Sequence, residues 1–558
     1  MVRFLLLLCI TIGCLLLLRP PTARAPTVSP PSTMSAVIPA SVTRAPIIVS
    51  STCSNRFEAH DLPHITTTAD NVIRAFAANG AGLAVNDLDN DGDLDLVLGA
   101  ETGPNHLLWN DGNLTFTTTT LGIGPTRAVT VIDVDADGQR DVIVTSNRGS
   151  LNYWHNDGNR AFSRHVLPGV AAPAYTLNWG DLDRDGDLDL VTASYDAGFL
   201  TDIGNEYLLD DRAGVYVYDY VYGNGKKTFH PTRLATEAQA LALALWDFDD
   251  DGRLDIIVGN DFAVPDYLWR NTARGWEQTS PFERTAYSTM SLETGDIDND
   301  GQSEMLAADM NPYDIGPATL AQWLPVISRM EEGSRLVNDP QVMTNALQMQ
   351  QQGSWREMAT DRGIGATGWS WTSRFGDLDN DSHLDLYVVN GMIEAGTFAH
   401  LPNHELVEEN QALRNDGHGY FSPMPTWGLG SNRSGRSMVM ADLDGDGDLD
   451  IVINNLRAPA QLFENQLCGG RSIEVQLQWR SVQNRDAIGA RVTLQSSLGP
   501  VTREVRAASG YLSGDAPLLH FGLPTGETVT QLEVLWPDGA QSIVMELALD
   551  EKITVVRE

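Results

Sequence analysis

Residues 87–95 read DLDNDGDLD, a run in which aspartate fills alternate positions, a glycine follows, and a further aspartate closes the pattern. Six variants of this run occur downstream, and they begin at Asp133, Asp181, Asp247, Asp296, Asp377 and Asp442. One match would be a weak signal. Seven matches in a chain of 558 residues predict a protein built from repeats of one structural unit.

The spacing inside each loop predicts a calcium site. Ca²⁺ takes about six to eight oxygen ligands, and such a loop offers carboxylates from positions 1, 3, 5 and 9 and the backbone carbonyl of position 7. The predicted ligands are, loop by loop, Asp87, Asp89, Asp91, Asp93, Asp95; Asp133, Asp135, Asp137, Gln139, Asp141; Asp181, Asp183, Asp185, Asp187, Asp189; Asp247, Asp249, Asp251, Arg253, Asp255; Asp296, Asp298, Asp300, Gln302, Glu304; Asp377, Asp379, Asp381, His383, Asp385; and Asp442, Asp444, Asp446, Asp448, Asp450.

Two of the seven loops depart from the pattern. Glu304 replaces aspartate at position 9 of the fifth loop, and Ser382 replaces the sixth-position glycine that permits the sharp turn in the other loops. Whether these two loops bind metal is therefore undecided from the sequence, and we expect five to seven structural Ca²⁺ ions in total.

Other interpretations of the loops fit less well. An EF-hand shares the first nine positions but requires a glutamate at position 12 and flanking helices. Position 12 carries no acid in any copy, and flanks such as LDLVLG at residues 94–99 are typical of strands. Mg²⁺ demands tighter octahedral geometry, and a metal-free turn would leave four carboxylates repelling one another.

A second repeated element predicts the fold. It consists of an asparagine-containing segment that ends at an aromatic residue, as in Asn105 to Phe116, Asn152 to Phe162 and Asn205 to Phe229. Each unit then holds about four short strands, which predicts an all-β, seven-bladed β-propeller. The seventh unit lacks its aromatic residue, so we expect the N-terminal segment around Phe57 to complete that blade.

The composition limits the class of partner. The chain has 37 basic and 74 acidic residues and a formal net charge of −37, which argues against binding to nucleic acids or anionic membranes. The first 25 residues are predicted to be a signal peptide, with an uncleaved anchor or a lipoprotein cleavage box as alternatives, and all three export the protein.

The predicted domains follow from these patterns. Residues 26–52 are predicted to be a flexible linker rich in Pro, Ser and Thr, and residues 53–468 form the propeller. Residues 469–558 show period-two alternation and predict a small antiparallel β-sandwich. Cys53 and Cys468 are expected to lie at neighbouring strand ends of the closing blade, and in an oxidising environment we expect a disulfide between them.

These motifs resemble known families. The run at residues 87–96 and the segment Asn105 to Phe116 are similar to FG-GAP/VCBS repeats, the calcium-loop propeller units also found in integrin α-chains. Residues 488–492 (IGARV), 509–513 (SGYLS), 520–523 (HFGL) and 536–539 (WPDG) resemble the ASPIC/UnbV domain. Together they resemble the cartilage acidic protein-like family, which implies calcium binding and extracellular interaction and no established reaction.

The expected function is that of an exported binding or adhesion module, located outside the cell or at its surface, and not of an enzyme. A carbohydrate-active hydrolase or lyase on a propeller scaffold, or a structural cell-surface protein, are the alternatives. The expected partner is an extracellular protein or glycan. Because the second-to-third strand connections emerge opposite the calcium loops, the long insertion at Asn311 to Gln341 predicts that partner binding occurs on that face.

Overall fold

The structure, a computed structural model, describes residues 37–50, 53–146, 149–196, 212–223, 226–261, 264–331 and 340–558. The described residues belong to one compact unit, Val37–Glu558. The predicted signal peptide (residues 1–25) and Asn205 lie outside the described residues. No helix in the described ranges is long and apolar enough to cross a membrane.

The main body of the chain consists of successive antiparallel groups of four strands, which we call blades one to seven. The sheet of blade one also includes Ala508–Ser509 and Ser513–Gly514, and that of blade six includes Met310–Asn311. The strands of blades one to four are Leu83–Asn86, Asp95–Leu98, Pro104–Asn110, Phe116–Ile123; Val129–Ile132, Asp141–Val144, Asn152–Gly158, Ala161–His165; Thr176–Gly180, Asp189–Ala193, Val215–Gly223, Lys226–Ala235; and Ala240–Trp246, Asp255–Asn260, Tyr267–Thr272, Gly275–Thr279. Those of blades five to seven are Ser291–Gly295, Glu304–Ala308, Ala346–Gln351, Ser354–Glu357; Gly368–Gly376, Asp385–Asn390, Gln411–Asn415, Phe421–Pro423; and Gly435–Ala441, Asp450–Asn455, Pro459–Gln466, Arg56–Ile65.

Burial falls from the inner to the outer strand of a blade. The innermost strand Leu83–Asn86 is wholly buried, whereas the outermost strand Phe116–Ile123 presents a row of exposed threonines. Innermost strands of neighbouring blades contact one another, and that of blade seven contacts that of blade one. The predicted all-β propeller class is confirmed.

The N-terminal strand completes blade seven. Arg56–Ile65 pairs antiparallel with Pro459–Gln466, and Phe57 lies opposite Asn465. A disulfide joins Cys53 to Cys468 beside this pair, with their Cα atoms 5.3 Å apart. Chain ends that are distant in sequence are therefore linked both by a strand pair and by a covalent bond.

The C-terminal residues form two packed sheets and correct two expectations. One sheet is antiparallel, in the order Gly499–Glu504, Arg491–Ser496, Val529–Leu535, Gln541–Met545; the other runs Ser41–Pro46, Glu551–Arg557, Arg471–Trp479, Leu518–Leu523. The second sheet is mixed, because Arg471–Trp479 and Glu551–Arg557 are parallel. The flexible-linker prediction is wrong for Ser41–Pro46, because this segment pairs with the strand Glu551–Arg557 and provides hydrogen-bond partners for the edge of that sheet.

A hairpin from the C-terminal domain enters the central channel of the propeller. We call residues Ala508–Gly514 the channel hairpin; its short strands are Ala508–Ser509 and Ser513–Gly514. Ser513 pairs with Leu83 of blade one, and the Gly510 N–H donates to the Leu292 carbonyl of blade five at 3.0 Å. Gly510 has φ +64°, and an added Cβ would lie 2.9 Å from the Arg374 side chain, so the position requires glycine.

The channel is also filled from its other end. The 3₁₀-helix Ala75–Asn79 precedes the first inner strand, and the Arg436 guanidinium donates to the Ala78 carbonyl at 2.7 Å. The Tyr511 hydroxyl, at the tip of the channel hairpin, donates to the Asn79 carbonyl at 3.0 Å. The two segments meet inside the ring and form one continuous core with it.

A buried ionic network anchors the base of the channel hairpin. Glu293 of blade five forms an ion pair with Arg374 of blade six at 3.2 Å and accepts a hydrogen bond from Arg506 at 3.1 Å. Arg374 also contacts Asp515 at 2.8 Å. Loss of one partner would leave a buried charge uncompensated, which is costly, so the network fixes how the domain docks.

The face opposite the seven acidic loops carries the α-helix Pro317–Glu331. Trp323 is fully buried, lies 5.6 Å from the Trp369 ring, and donates its Nε1–H to Glu408 at 3.1 Å. The remaining short elements are Thr285–Ala286, Met310–Asn311, Gln341–Val342, Met392–Ile393, Glu405–Leu406 and the 3₁₀-helices Pro402–His404 and Pro425–Trp427. The helix is held to the propeller by its aromatic side.

Candidate metal centres

All seven acidic loops join the innermost strand of a blade to the second strand, and they share one backbone path. The sixth position has positive φ in every loop, including Ser382 at +77°. The serine hydroxyl donates to the Gly522 carbonyl at 2.8 Å, so a contact with the C-terminal domain accompanies this strained residue. Replacement of glycine has not altered the path of the sixth loop.

The fourth position also has positive φ in every loop, which the sequence analysis did not use. The residues are Asn90, Ala136, Arg184, Asp250, Asn299, Asn380 and Gly445. Asparagine, aspartate and glycine tolerate this conformation best, and five of these seven residues are of those types. The enrichment at position 4 was a usable sequence signal for the loop path.

The first-position carboxylate organises each loop. In the fourth loop Asp247 accepts backbone N–H groups from Asp251 at 3.0 Å and Gly252 at 2.8 Å. The fifth-position carboxylate accepts the N–H of position 7, as Asp251 does from Arg253 at 3.0 Å. The same bonds recur in the other loops, so the predicted residues of each loop are brought together around one centre.

The ninth-position carboxylate has a structural task that the sequence analysis did not foresee. Asp95 accepts the N–H of Leu88 at 2.9 Å and that of Asn110, on the third strand, at 2.9 Å. Equivalent bonds tie loop to third strand in most other blades. Each oxygen keeps a second lone pair, so this tie is compatible with metal binding.

Several buried carboxylate oxygens in the loops have no hydrogen-bond partner. They are Oδ1 of Asp87, Asp89, Asp181, Asp298 and Asp379, distributed over loops one, three, five and six. Asp181, for example, is only 3% exposed. An ionised oxygen without a donor is costly inside a protein unless a cation satisfies it. The donor set, all hard oxygens, fits Ca²⁺.

Burial raises the pKa of the loop carboxyl groups. Burial first, and neighbouring carboxylates second, raise the pKa of Asp189 and Asp255 to about 8 and that of Glu304 to about 9. The same causes raise the pKa of Asp95 to about 7. The loops therefore bring together more negative charge than their own hydrogen bonds stabilise.

Arginine side chains neutralise part of this charge in loops one, four and six. Arg414, on the third strand of blade six, contacts Asp379 and Asp381 at 2.6 Å each. Arg270 contacts Asp249 from the equivalent position of blade four. Arg160 reaches Asp89 from the neighbouring blade at 2.6 Å. In Asp89 and Asp379 the arginine occupies Oδ2 and leaves Oδ1 free of protein partners.

The C-terminal domain covers this face of the propeller. Gln483 donates to the carbonyls of Asp133 and Val134 at 2.9 Å each, and Arg491 contacts Asp250 at 3.3 Å. His520 hydrogen-bonds through Nε2 with the Gly447 carbonyl at 3.0 Å. Loops two, four and seven are thus bridged by one domain.

Two family descriptions match the chain. Residues 87–144, 133–192, 247–307 and 403–453 match the FG-GAP-like repeat, and residues 480–558 match the ASPIC and UnbV family. The resemblance predicted from the motifs is confirmed: the chain carries FG-GAP-like repeats followed by a C-terminal ASPIC/UnbV domain.

Curated relatives share this architecture over a limited length. Cartilage acidic protein 1 from Xenopus tropicalis is 29% identical over 177 residues, which cover 29% of this chain and 25% of the frog protein. The Homo sapiens protein of the same name is 28% identical over 177 residues, which cover 29% of this chain and 24% of the human protein. The chain therefore matches about a quarter of the length of these relatives.

Two solved structures match the chain at low similarity. The Neurospora crassa Pan2 WD40 domain is 9% identical, with a TM-score of 0.38, covering 75% of this chain and 98% of that domain. The Photorhabdus luminescens Tc holotoxin pore is 14% identical, with a TM-score of 0.32, covering 88% of this chain and 18% of that chain.

Proposed function

We propose that the protein is an exported, calcium-stabilised propeller that acts as an extracellular binding or adhesion module without enzymatic activity. Five to seven Ca²⁺ ions would occupy the blade loops and have a structural role. The patterned carboxylates already accept backbone N–H groups and arginines, which supports a structural role for them over catalysis.

The observation that carries the calcium assignment is the set of partnerless, buried carboxylate oxygens in the loops. Asp379 is informative because its Oδ2 accepts from Arg414 at 2.6 Å while its Oδ1 has no partner. Charge balance by Arg414 alone does not explain why Oδ1 of Asp379 is buried without a hydrogen-bond partner. A cation at the loop centre accounts for both oxygens.

Metal content and stability test this proposal. A metal that binds only the folded state stabilises it by mass action, so excess chelator should lower the melting temperature by many degrees. Asp181→Ala removes a first-position ligand and should lower calcium per chain by one ion. Asp70→Ala, at an exposed position outside the loops, is the matched control and should leave the calcium content unchanged. Calcium-free protein with an unchanged melt in chelator would refute the proposal.

We assign partner binding to the face opposite the calcium loops. The C-terminal domain occupies the calcium-loop face, whereas the helix Pro317–Glu331 leaves apolar side chains open to solvent: Ile315, just before it, is 80% exposed, and Leu324 is 52% exposed. Trp323 on the same helix is buried against the propeller. The segment therefore both caps the propeller and presents a surface to a protein or glycan.

This arrangement allows a sharper test than loop deletion. Removal of residues 311–341 would uncover Trp369, whereas the double substitution Ile315→Ser and Leu324→Ser changes only exposed side chains. Arrays of glycans and extracellular proteins would first identify a ligand of the wild-type protein. The double variant should then lose binding with an unchanged melting temperature, and Ile543→Ser, an exposed position on the C-terminal domain, should retain it. A ligand that binds the double variant equally well would refute this assignment.

A further inference from the structure

The second blade differs from the others at the edge of its calcium loop. Asn156, Asn271 and Asn415 each donate a backbone N–H to the ninth-position carboxylate of their own loop, so they are equivalent. The preceding residue is arginine in blades four and six and His155 in blade two. A histidine can bind a metal ion through a ring nitrogen, which an arginine cannot do.

The tautomer of His155 follows from its contact with Asp141. Nδ1 lies 3.1 Å from Oδ1 of Asp141, a fully buried carboxylate that can only accept a hydrogen bond when ionised. Nδ1 therefore carries the proton, and Nε2 keeps its lone pair. This carboxylate–histidine arrangement is the usual outer-shell support of a metal-bound histidine.

The free nitrogen faces further ligand-type side chains. Nε2 of His155 lies 4.0 Å from Oδ2 of Asp137 and 3.8 Å from Oδ1 of Asp157, and neither contact is a hydrogen bond. A second imidazole, His165, has its ring centroid 5.3 Å from that of His155. Ser163 connects the two sides, since its hydroxyl donates to Asp157 at 2.9 Å and lies 3.0 Å from Nε2 of His165.

The distances fit a small transition metal after minor adjustment. Zinc–nitrogen and zinc–oxygen bonds of about 2.0–2.2 Å place tetrahedral ligand atoms roughly 3.3 Å apart. The contacts of 3.8 and 4.0 Å therefore have to shorten by roughly half an ångström. The Asp137 and Asp157 side chains are 40% and 44% exposed, so solvent-facing rotations can supply this movement.

We propose that His155, Asp137 and Asp157, with His165 beside them, form a zinc site at the outer edge of blade two. Imidazole ligands favour Zn²⁺ over Ca²⁺, which prefers oxygen donors alone. The site goes beyond the calcium function and shares only Asp137 with the second calcium loop. His155 binds the metal through Nε2, and Asp141 is a positioning residue that orients the imidazole.

The decisive variant is His155→Arg, which reproduces the residue found in blades four and six. It places a permanent positive charge next to Asp135, Asp137 and Asp141 and removes the ligand nitrogen. If His155 served only as a counter-charge, arginine could replace it without any change in zinc binding. His418→Arg, at an exposed turn of blade six, is the matched control.

The experiment is a titration of the full exported chain with Zn²⁺ in excess calcium, followed by calorimetry, with Co²⁺ absorption as a second probe. We expect one zinc per chain in the wild type and in His418→Arg, and none in His155→Arg, with equal melting temperatures and calcium content. Zinc binding that survives in His155→Arg, or is absent from the wild type, overturns the proposal. If elemental analysis finds no calcium in any protein but zinc uptake still requires His155, the calcium assignment fails and the zinc site stands.

Discussion

The channel hairpin makes a sharp prediction at Tyr511, whose side chain is fully buried inside the propeller. Its hydroxyl donates to the Asn79 carbonyl at 3.0 Å and lies 3.2 Å from the Tyr175 hydroxyl. Because Tyr511 has one proton and gives it to Asn79, the Tyr175 hydroxyl donates to Tyr511. Tyr511→Phe should therefore leave both an acceptor and a donor unsatisfied in the core.

The expected cost follows from those two groups. A buried polar group without a partner costs about 1–3 kcal/mol, so the two groups that Tyr511→Phe leaves unpaired should lower the free energy of unfolding by about 2–6 kcal/mol. Tyr511→Ala also removes the ring, which lies 5.2 Å from that of Trp371, and truncation of a core aromatic costs about 3–5 kcal/mol. Tyr420→Phe, at a side chain 49% exposed, should stay within about 0.5 kcal/mol of wild type.

Guanidinium unfolding in calcium, followed by tryptophan fluorescence, measures these differences. The double variant Tyr175→Phe with Tyr511→Phe should cost less than the sum of the single changes, because the two hydroxyls share a bond. A Tyr511→Phe protein as stable as Tyr420→Phe would refute the placement of the channel hairpin.

Three further outcomes are expected. Burial raises the pKa of Asp189 and of Asp255 to about 8, so in the presence of chelator the folded protein holds protons that the unfolded chain releases. The melting temperature should therefore fall as the pH rises from about 6 to 8. A chelated protein that becomes more stable over this range would contradict the prediction. Cys468→Ser should destabilise by up to about 5–6 kcal/mol in the chain-entropy relation for a separation of 415 residues, and reduction of the wild type should match it in a thermal melt. Trp323→Ala should cost about 3–5 kcal/mol, against about 0.5 kcal/mol or less for Leu324→Ala, and equal melting temperatures would show that the helix is not anchored as described.

The parts predictable from sequence are those set by local spacing. The seven loops and the blade strands follow from the period of aspartates and from short apolar runs, because each blade is built mainly from consecutive residues. The pairing of Phe57 with Asn465 was also accessible, since one unit lacked its aromatic residue. Assignment of the loop carboxylates as metal ligands remains a prediction.

The parts that sequence reasoning missed depend on contacts between distant segments. Residues 509–513 marked the C-terminal domain, but no local pattern indicated that they would pass into the ring and meet Asn79. The flexible-linker prediction was wrong for Ser41–Pro46 because composition alone does not show that this segment pairs with the distant strand Glu551–Arg557. His155 was overlooked because it lies on the third strand, outside the nine-residue loop pattern.

The positions of the N-terminal strands determine how late in synthesis the fold can close. Ser41–Pro46 pairs with Glu551–Arg557, and Arg56–Ile65 closes the ring against Pro459–Gln466, so both N-terminal strands find their partners only after these distant downstream strands have been translated. Until then the nascent chain carries two unpaired strands and an open, unfilled ring, the kinds of exposed edge that promote aggregation. A chain that stops before Pro459–Gln466 and Glu551–Arg557 thus lacks the partners of both N-terminal strands and cannot close the ring.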